Sequence, residues 1–201
     1  MEKSNIEILS EFARNTNRAI VSKEIPYPLT GIRTFQQYKR MIYISNNSEN
    51  TSFLIWFSDP YAKVGLPTIY CGAFIPLPTN VKSKIKIRNR NTLDRLNVFS
   101  KTKTILTGNN SFDSKVVISG NMDSSAKELL SRSKTQYQLL KALKIEKLMT
   151  ISLNEYKIDF LPELSNTPYI AILNQQGWNL DRDCIENMFK EIESLRNTIT
   201  D

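Results

Sequence analysis

The stretch from residue 112 to residue 144 constrains the fold more than any other part of the sequence. Near its start lie residues 115–118, a mostly β-branched run that favours a half-buried strand. Gly120 and Asn121 interrupt this run, and Asp123 can accept hydrogen bonds from the free amides at the start of a helix. Apolar residues then recur at helical spacings, with a break near residues 131–133: Ala126, Leu129, Leu130, Tyr137, Leu140 and Leu143. A strand followed by two amphipathic helices needs a sheet against which the helices can pack.

The remaining chain contains more strand patterns than helix patterns. Residues 4–14 begin with a capping box formed by Ser4 and Glu7 and predict a first helix. A closing helix is predicted from Asp181 onward, because apolar residues repeat there at three- and four-residue steps. Further strands are predicted at residues 39–45, 51–58, 68–75, 81–89, 148–153, 156–161 and 169–173. Most of them follow one another as hairpins, so we predict an α+β fold: a mostly antiparallel sheet with N-terminal, central and C-terminal helices on one face.

The connections are predicted from prolines, glycines and polar runs. Residues 24–31 and 59–67 each hold two prolines and a glycine and predict irregular segments, and residues 46–50 predict a hairpin loop. A turn is predicted at residues 154–155, and a helical turn or packed irregular segment at residues 93–99. At 201 residues, the chain is expected to form a single globular domain over residues 1–201.

Four short motifs lie in the central part of the chain: Phe112-Asp113, a β run ending near Ser119-Gly120, Asp123, and Leu129-Leu130-Ser131. Together they resemble the later half of an uncharacterised bacterial domain family. Its members begin with a helix like residues 9–13, continue through antiparallel strands and often follow transmembrane segments. The resemblance covers nearly the whole chain and implies no catalytic residues. The chain departs from the family in lacking a membrane segment, because its longest bulky apolar run, residues 53–57, is far below the roughly 20 residues that span a bilayer.

Composition excludes several kinds of site. The sequence has no histidine, which removes histidine-based triads and histidine metal sites. Its six glycines are dispersed and form no phosphate-binding loop. Cys71 and Cys184 are expected to be reduced and packed, although a disulfide between them stays open. We therefore predict no catalytic, cofactor-binding or metal-binding residues, and the N-terminus, which has no signal-peptide pattern, favours a soluble cytoplasmic protein.

Positive charge is concentrated in one segment. Eight Lys or Arg residues and one acid, Asp94, lie between residues 82 and 103, and this local excess equals the net charge of +7 of the whole chain. Alternation along residues 81–89 predicts that the cations share one strand face. The candidate anion-binding residues are Lys82, Lys84, Lys86, Arg88 and Arg90. The alternative is a solvated lysine-rich face that protects an edge strand from pairing.

Other candidate sites are weaker. Ser131 and Lys134 match the S-x-x-K pattern of penicillin-recognising enzymes, but the companion motifs are missing, so a solvated helix break is preferred. Asp113 and Asp123 bracket a strand, and we predict turn and helix-cap roles for them. Asp159 is the other regularly placed acid.

These observations favour a non-enzymatic protein-interaction or structural module. The first alternative is a domain that binds nucleic acid or an anionic membrane surface through residues 82–90. The second is an enzyme that uses carboxylates alone, which requires acids converging in a pocket.

Overall fold

Eight strands form one sheet in the computed structural model, which describes residues 4–29, 35–46, 51–63, 66–78, 80–92, 94 and 104–200. The strands are β1 (Ile20–Pro26), β2 (Tyr38–Ser45), β3 (Phe53–Lys63), β4 (Leu66–Pro76), β5 (Ile85–Asn89), β6 (Val116–Gly120), β7 (Met149–Leu153) and β8 (Tyr169–Asn174). Their order across the sheet is β1-β2-β3-β4-β8-β7-β5-β6, and neighbouring strands are antiparallel. Strand β5, which carries Lys86 and Arg88, is therefore an interior strand between β6 and β7, so the prediction that its basic residues protect an edge strand is wrong.

Five helices are found in the described ranges: α1 (Asn5–Asn15), α2 (Asn110–Asp113), α3 (Ser124–Ser131), α4 (Ser133–Ala142) and α5 (Arg182–Thr200). The predicted capping box at α1 is present, since the Ser4 hydroxyl accepts from the Glu7 amide and the Glu7 carboxylate accepts from the Ser4 amide. Asp123 caps α3, as predicted, by accepting from the Ala126 amide at 2.8 Å. The predicted helix break falls at Arg132, whose backbone is extended.

The helices pack on one face of the sheet. Fully buried side chains such as Leu9 of α1, Leu130 of α3 and Ile192 of α5 join sheet residues in one apolar core. Trp56 of β3 belongs to this core, and its indole nitrogen donates to the Asn179 carbonyl at 2.9 Å, so its buried polar atom has a partner. The α+β prediction, with helices on one face of an antiparallel sheet, is confirmed.

The opposite face carries a second, aromatic core over β2, β3, β4 and β8, with Phe57, Tyr70 and Phe74 among its members. Residues 156–164, which end in a 3-10 turn at Pro162–Leu164, cover it. Within the described ranges, no helix packs on this face over β5, β6 and β7. The cationic side chains of β5, Lys86 and Arg88, point to that part of the sheet, whereas Ile85 and Ile87 pack in the core shared with the helices.

Two predicted connections differ from the structure. Residues 24–26 belong to β1, where Pro26 pairs with Tyr38 at the end of an edge strand, a position that tolerates a missing amide donor. Residues 59–63 and 66–67 extend the β3–β4 hairpin, and the register shift between Asp59 and Lys63 accommodates Pro60.

The predicted strand at residues 156–161 is also wrong. Ile158 and Leu161 are buried in the aromatic core, but the segment is a loop. Its backbone is held by a side chain instead of a strand partner, since the Tyr169 hydroxyl accepts from the Tyr156 amide at 2.7 Å and donates to the Tyr156 carbonyl at 2.8 Å. Buried and exposed residues therefore alternate in this segment although it does not pair with a strand.

Two predictions lie mostly outside the described residues, namely the helical turn or packed segment at residues 93–99 and the loop at residues 46–50. The chain that is described contains no helix both long enough and apolar enough to cross a membrane.

Candidate functional site

The basic segment, residues 82–90, alternates as its sequence predicts. Val81, Ser83, Ile85 and Ile87 are buried toward the helices. The intervening Lys82 and Lys84 are exposed, and Lys86 and Arg88 are half-buried on the helix-free face. Because side chains two residues apart on an extended chain lie about 6.6 Å apart, Lys82, Lys84 and Lys86 form a row about 13 Å long, called the lysine row below.

The backbone under the lysine row is fixed from both sides. The amide of Lys82 donates to the Asp123 carboxylate at 2.8 Å, and the amide of Lys84 donates to the Asn121 side chain at 2.8 Å. From the other side, the Asn154 side-chain amide donates to the carbonyls of Val81 at 2.8 Å and Ser83 at 3.0 Å. Residues 81–84 are not a strand, yet these bonds hold them in an extended conformation. The lysines therefore project from a preorganised support.

The two arginines of the basic segment already have partners. Arg88 forms a bidentate ion pair with Asp94, with both N–O distances at 2.6 Å. The hydrogen bond from Arg88 lowers the pKa of Asp94 to about 2, so this carboxylate is ionised at neutral pH and offsets one positive charge. Arg90 donates to the backbone carbonyls of Asp113 at 3.2 Å and Val116 at 3.1 Å. Arg90 thus ties the end of β5 to β6.

A recess of about 630 Å³ opens beside β5 and is called the basic recess. Five of its side chains are basic and one is acidic: Lys86, Arg88, Arg90, Lys144, Lys147 and Glu146. The amide side chains of Asn89, Asn91, Gln175 and Gln176 also line it. Lys144 and Lys147 are exposed and follow α4, and sequence reasoning missed them. Their three-residue spacing, which continues from Lys141, was the signal available in the sequence.

A second recess, of about 360 Å³, lies at the other end of the lysine row and is called the amide recess. Lys82 and Lys84 line it together with Lys157, Asn80 and Asn166. Its acid, Asp159, pairs with Lys157 at 3.2 Å. The lysine row therefore connects two recesses that both have an excess of positive charge. The row and these two recesses are called the basic groove below.

A third recess, of about 660 Å³, has an aromatic floor and is called the aromatic recess. Tyr70 stacks on Phe57 with ring centroids 5.0 Å apart and on Tyr156 with centroids 4.2 Å apart. Burial, and then the nearby Glu155 charge, raises the pKa of Tyr156 to about 12, so its hydroxyl stays protonated at neutral pH. Tyr156 also lines the amide recess, which brings an aromatic ring next to the lysine row.

The side chain of Gln175 lines both the basic recess and the aromatic recess. Its side-chain oxygen accepts a hydrogen bond from the Lys86 ammonium group. Its side-chain nitrogen donates to the Tyr156 hydroxyl at 2.9 Å and to the Glu155 carboxylate at 3.2 Å. One amide thus positions a lysine of the basic recess and a tyrosine of the aromatic recess.

Three acids line the aromatic recess, and each is held by a partner. Asp59 accepts from the Tyr27 hydroxyl at 2.7 Å and from the Tyr61 amide at 2.9 Å, with Lys39 at 3.8 Å. The other two are Glu155, which accepts from Gln175, and Asp159, which pairs with Lys157. Each of these carboxylates therefore has a hydrogen-bond or ion-pair partner.

The other candidate residues from the sequence analysis do not line the basic groove. Asp113 accepts from the amides of Thr107 and Gly108, each at 3.1 Å, as its predicted turn role requires. Ser131 is exposed and its hydroxyl donates to a helical carbonyl at 2.8 Å.

Cys71 and Cys184 are free thiols, and burial raises their pKa values to about 11 and about 12. Among the described residues, no group of three acids or cysteines is arranged to hold a metal ion.

No family model, curated protein or solved structure matches this chain. The resemblance to an uncharacterised bacterial domain family therefore stays an expectation from the sequence.

Proposed function

We propose that this chain is a non-enzymatic binding domain whose basic groove takes an anionic ligand with phosphate-like groups. The observation that carries the proposal is the basic recess, in which five cationic side chains from two separate segments surround one space with a single acid. Lysine and arginine side chains are the usual partners of phosphate oxygens. Asp94 offsets only Arg88, so an excess of positive charge remains.

The arrangement of the acids supports a binding role over a catalytic one. An enzyme that uses carboxylates alone needs at least one acid directed at a reacting atom. In the aromatic recess, Asp59, Glu155 and Asp159 instead accept hydrogen bonds or pair with a lysine. A cytoplasmic location and a bacterial family remain parts of the proposal that come from the sequence.

The proposal is tested by titrating the ¹⁵N-labelled protein with pyrophosphate and following backbone amide signals. Signals of residues 86–91 and 144–150 are expected to move, and the effect is expected to weaken between about 0.05 and about 0.2 M salt. Shifts that are absent at low salt, or spread evenly over the surface, would contradict the proposal.

Charge variants sharpen this test. Asp94→Asn removes the carboxylate from Arg88 and is expected to tighten pyrophosphate binding, whereas Lys147→Gln is expected to weaken it. Lys127→Gln removes the same charge from an exposed position on α3 and serves as the matched control. If Lys127→Gln weakens binding as much as Lys147→Gln does, the ligand responds to net charge and not to the recess.

A protein partner is the second candidate, and the edge strand β1 favours it. Among the described residues, β1 pairs only with β2, and its side chains Val21 and Ile25 are 46% and 40% exposed. An extended segment of a partner could pair with such an edge. A photo-crosslinker at Val21 would then capture one specific protein in cells, and the same probe at Lys127 would not. Equal capture from both positions would speak against this candidate.

A further inference from the structure

We infer that the ligand of the basic groove is a single-stranded nucleic acid, an inference that rests on the proposed anion-binding function. Its phosphates would contact the lysine row, and one nucleotide would enter the basic recess. Four features of the described residues support it: the length of the row, the shape of the site, the amide and aromatic groups beside it, and the position of its cations.

The first feature is the length of the positive surface. Lys82, Lys84 and Lys86 repeat along an extended backbone and span about 13 Å, and a recess lies at each end of the row. A single phosphate group would contact one recess only. A chain with repeating phosphates can contact both recesses and the row between them.

The second feature is the shape of the site. Proteins that read duplex DNA insert a helix or a two-stranded ribbon into a groove of the duplex. Here the helices pack on the opposite face, and the cations line recesses in the sheet surface. A recess accepts an unpaired, unstacked nucleotide, which only a single strand presents without a cost in base pairing.

The third feature is the set of groups that could contact bases. Asn91 and Gln176 place amide side chains in the basic recess, and amides can pair with base edges. Tyr156 is half-buried between the amide and aromatic recesses, and one face of its ring packs on Tyr70. Leu148, 46% exposed, adds an apolar side chain at the basic recess. Neutral stacking and apolar groups next to cations are typical of single-strand sites.

The fourth feature separates nucleic acid from a membrane surface. Binding to anionic lipid depends on cations that can reach a flat layer of headgroups. Lys86 and Arg88 are half-buried, and Lys86 is hydrogen-bonded to Gln175 across the sheet surface. Because Asp94 offsets the charge of Arg88, the positive charge of Lys86 is the one presented to a ligand that enters the recess.

The test measures the fluorescence anisotropy of a labelled oligothymidylate over a range of salt concentrations. Three phosphates neutralised by the lysine row predict a slope of log affinity against log salt near −2, from about −0.7 per phosphate of a single strand. The triple variant Lys82→Gln/Lys84→Gln/Lys86→Gln is expected to weaken binding at least about tenfold and to flatten the slope. Lys127→Gln should leave both nearly unchanged.

The stacking contribution is tested separately. Tyr156→Leu is expected to weaken binding several-fold without changing the salt slope, because it removes a ring and no charge. Tyr156→Phe keeps the ring and should bind almost as the wild type does. If Tyr156→Leu fails to fold, as judged by circular dichroism, the salt slopes of the lysine variants decide the question alone.

Other ligands provide the outcomes that would overturn the inference. The labelled strand annealed to oligoadenylate should bind more weakly than the single strand, and so should phosphatidylserine vesicles. Tighter binding of the duplex or of the vesicles would refute a single-strand site. If pyrophosphate shifts the signals of the basic recess but the oligonucleotide does not bind, the anion-binding proposal stands and this inference fails. If neither binds at low salt, both fail.

Discussion

Replacing Asn154 by alanine should destabilise the protein by about 4 kcal/mol. The Asn154 side chain makes three hydrogen bonds, to the carbonyls of Val81 and Ser83 and from the amide of Tyr169, at 2.8, 3.0 and 2.8 Å. At about 1 kcal/mol each, they contribute about 3 kcal/mol. The backbone of Asn154 has φ of 50°, a left-handed conformation that costs alanine about 1 kcal/mol more. Urea unfolding followed by tryptophan fluorescence measures the sum.

Asn166→Ala is the matched control. Asn166 is exposed and has φ of 61°, and no hydrogen bond of its side chain is found among the described residues. This variant is therefore expected to lose only the backbone contribution, about 1 kcal/mol. Equal losses for the two variants, or an Asn154→Ala loss below about 1 kcal/mol, would refute the claim that Asn154 holds the basic segment in place.

Three further predictions concern stability. Gly120 has φ of 120°, and a Cβ there would lie 2.0 Å from a backbone oxygen of the basic segment. Gly120→Ala should therefore lower the urea midpoint far more than Gly108→Ala, because a Cβ at Gly108 would meet no atom within 4 Å. Asp94 has its pKa lowered to about 2 by Arg88, so its stabilising contribution is present at neutral pH and lost as pH falls from about 4 to about 2. The stability difference between wild type and Asp94→Asn should therefore shrink over that range in urea titrations. Ser4→Ala removes the capping box and should cost about 1 kcal/mol in thermal unfolding.

The parts of the fold that local physics determines could be predicted from the sequence. The capping box at Ser4, the helix cap at Asp123 and the alternation along the basic segment depend on residues close in the chain, and each is present in the structure. The α+β class followed because hairpin-forming strands and amphipathic helices leave few ways to bury their apolar faces.

The structure of two segments, β1 and residues 156–161, was not predicted because the spacing of their apolar residues does not match their secondary structure. Strand β1 is exposed along nearly its whole length, so no alternation of apolar residues marks it. Residues 156–161 show the opposite case, because Tyr156, Ile158 and Phe160 alternate with polar residues but lie in a loop fixed by the Tyr169 hydroxyl.

Only half of the candidate site could be predicted. The cations of the basic segment were evident from charge alone, but their surroundings depend on strand pairing between distant parts of the chain. Pairing of β5 with β7, and of β7 with β8, brings Lys147 and Gln175 to the basic recess. Asp94 is the lone acid of its segment in the sequence, but the sequence does not predict its ion pair with Arg88.

The interior position of β5 affects which fragments of this protein can be used in binding experiments. Residues 82–90 synthesised as a free peptide would keep their charge but would lose the anchoring bonds from Asn121, Asp123 and Asn154. Peptide arrays and terminal truncations should therefore underestimate any affinity of the groove. Conversely, a ligand of the basic groove that contacts β5, the lysines after α4 and Gln175 would link parts of the chain about 90 residues apart in sequence. Such an occupant should raise the melting temperature of the whole protein, so thermal-shift screening is a direct way to find it.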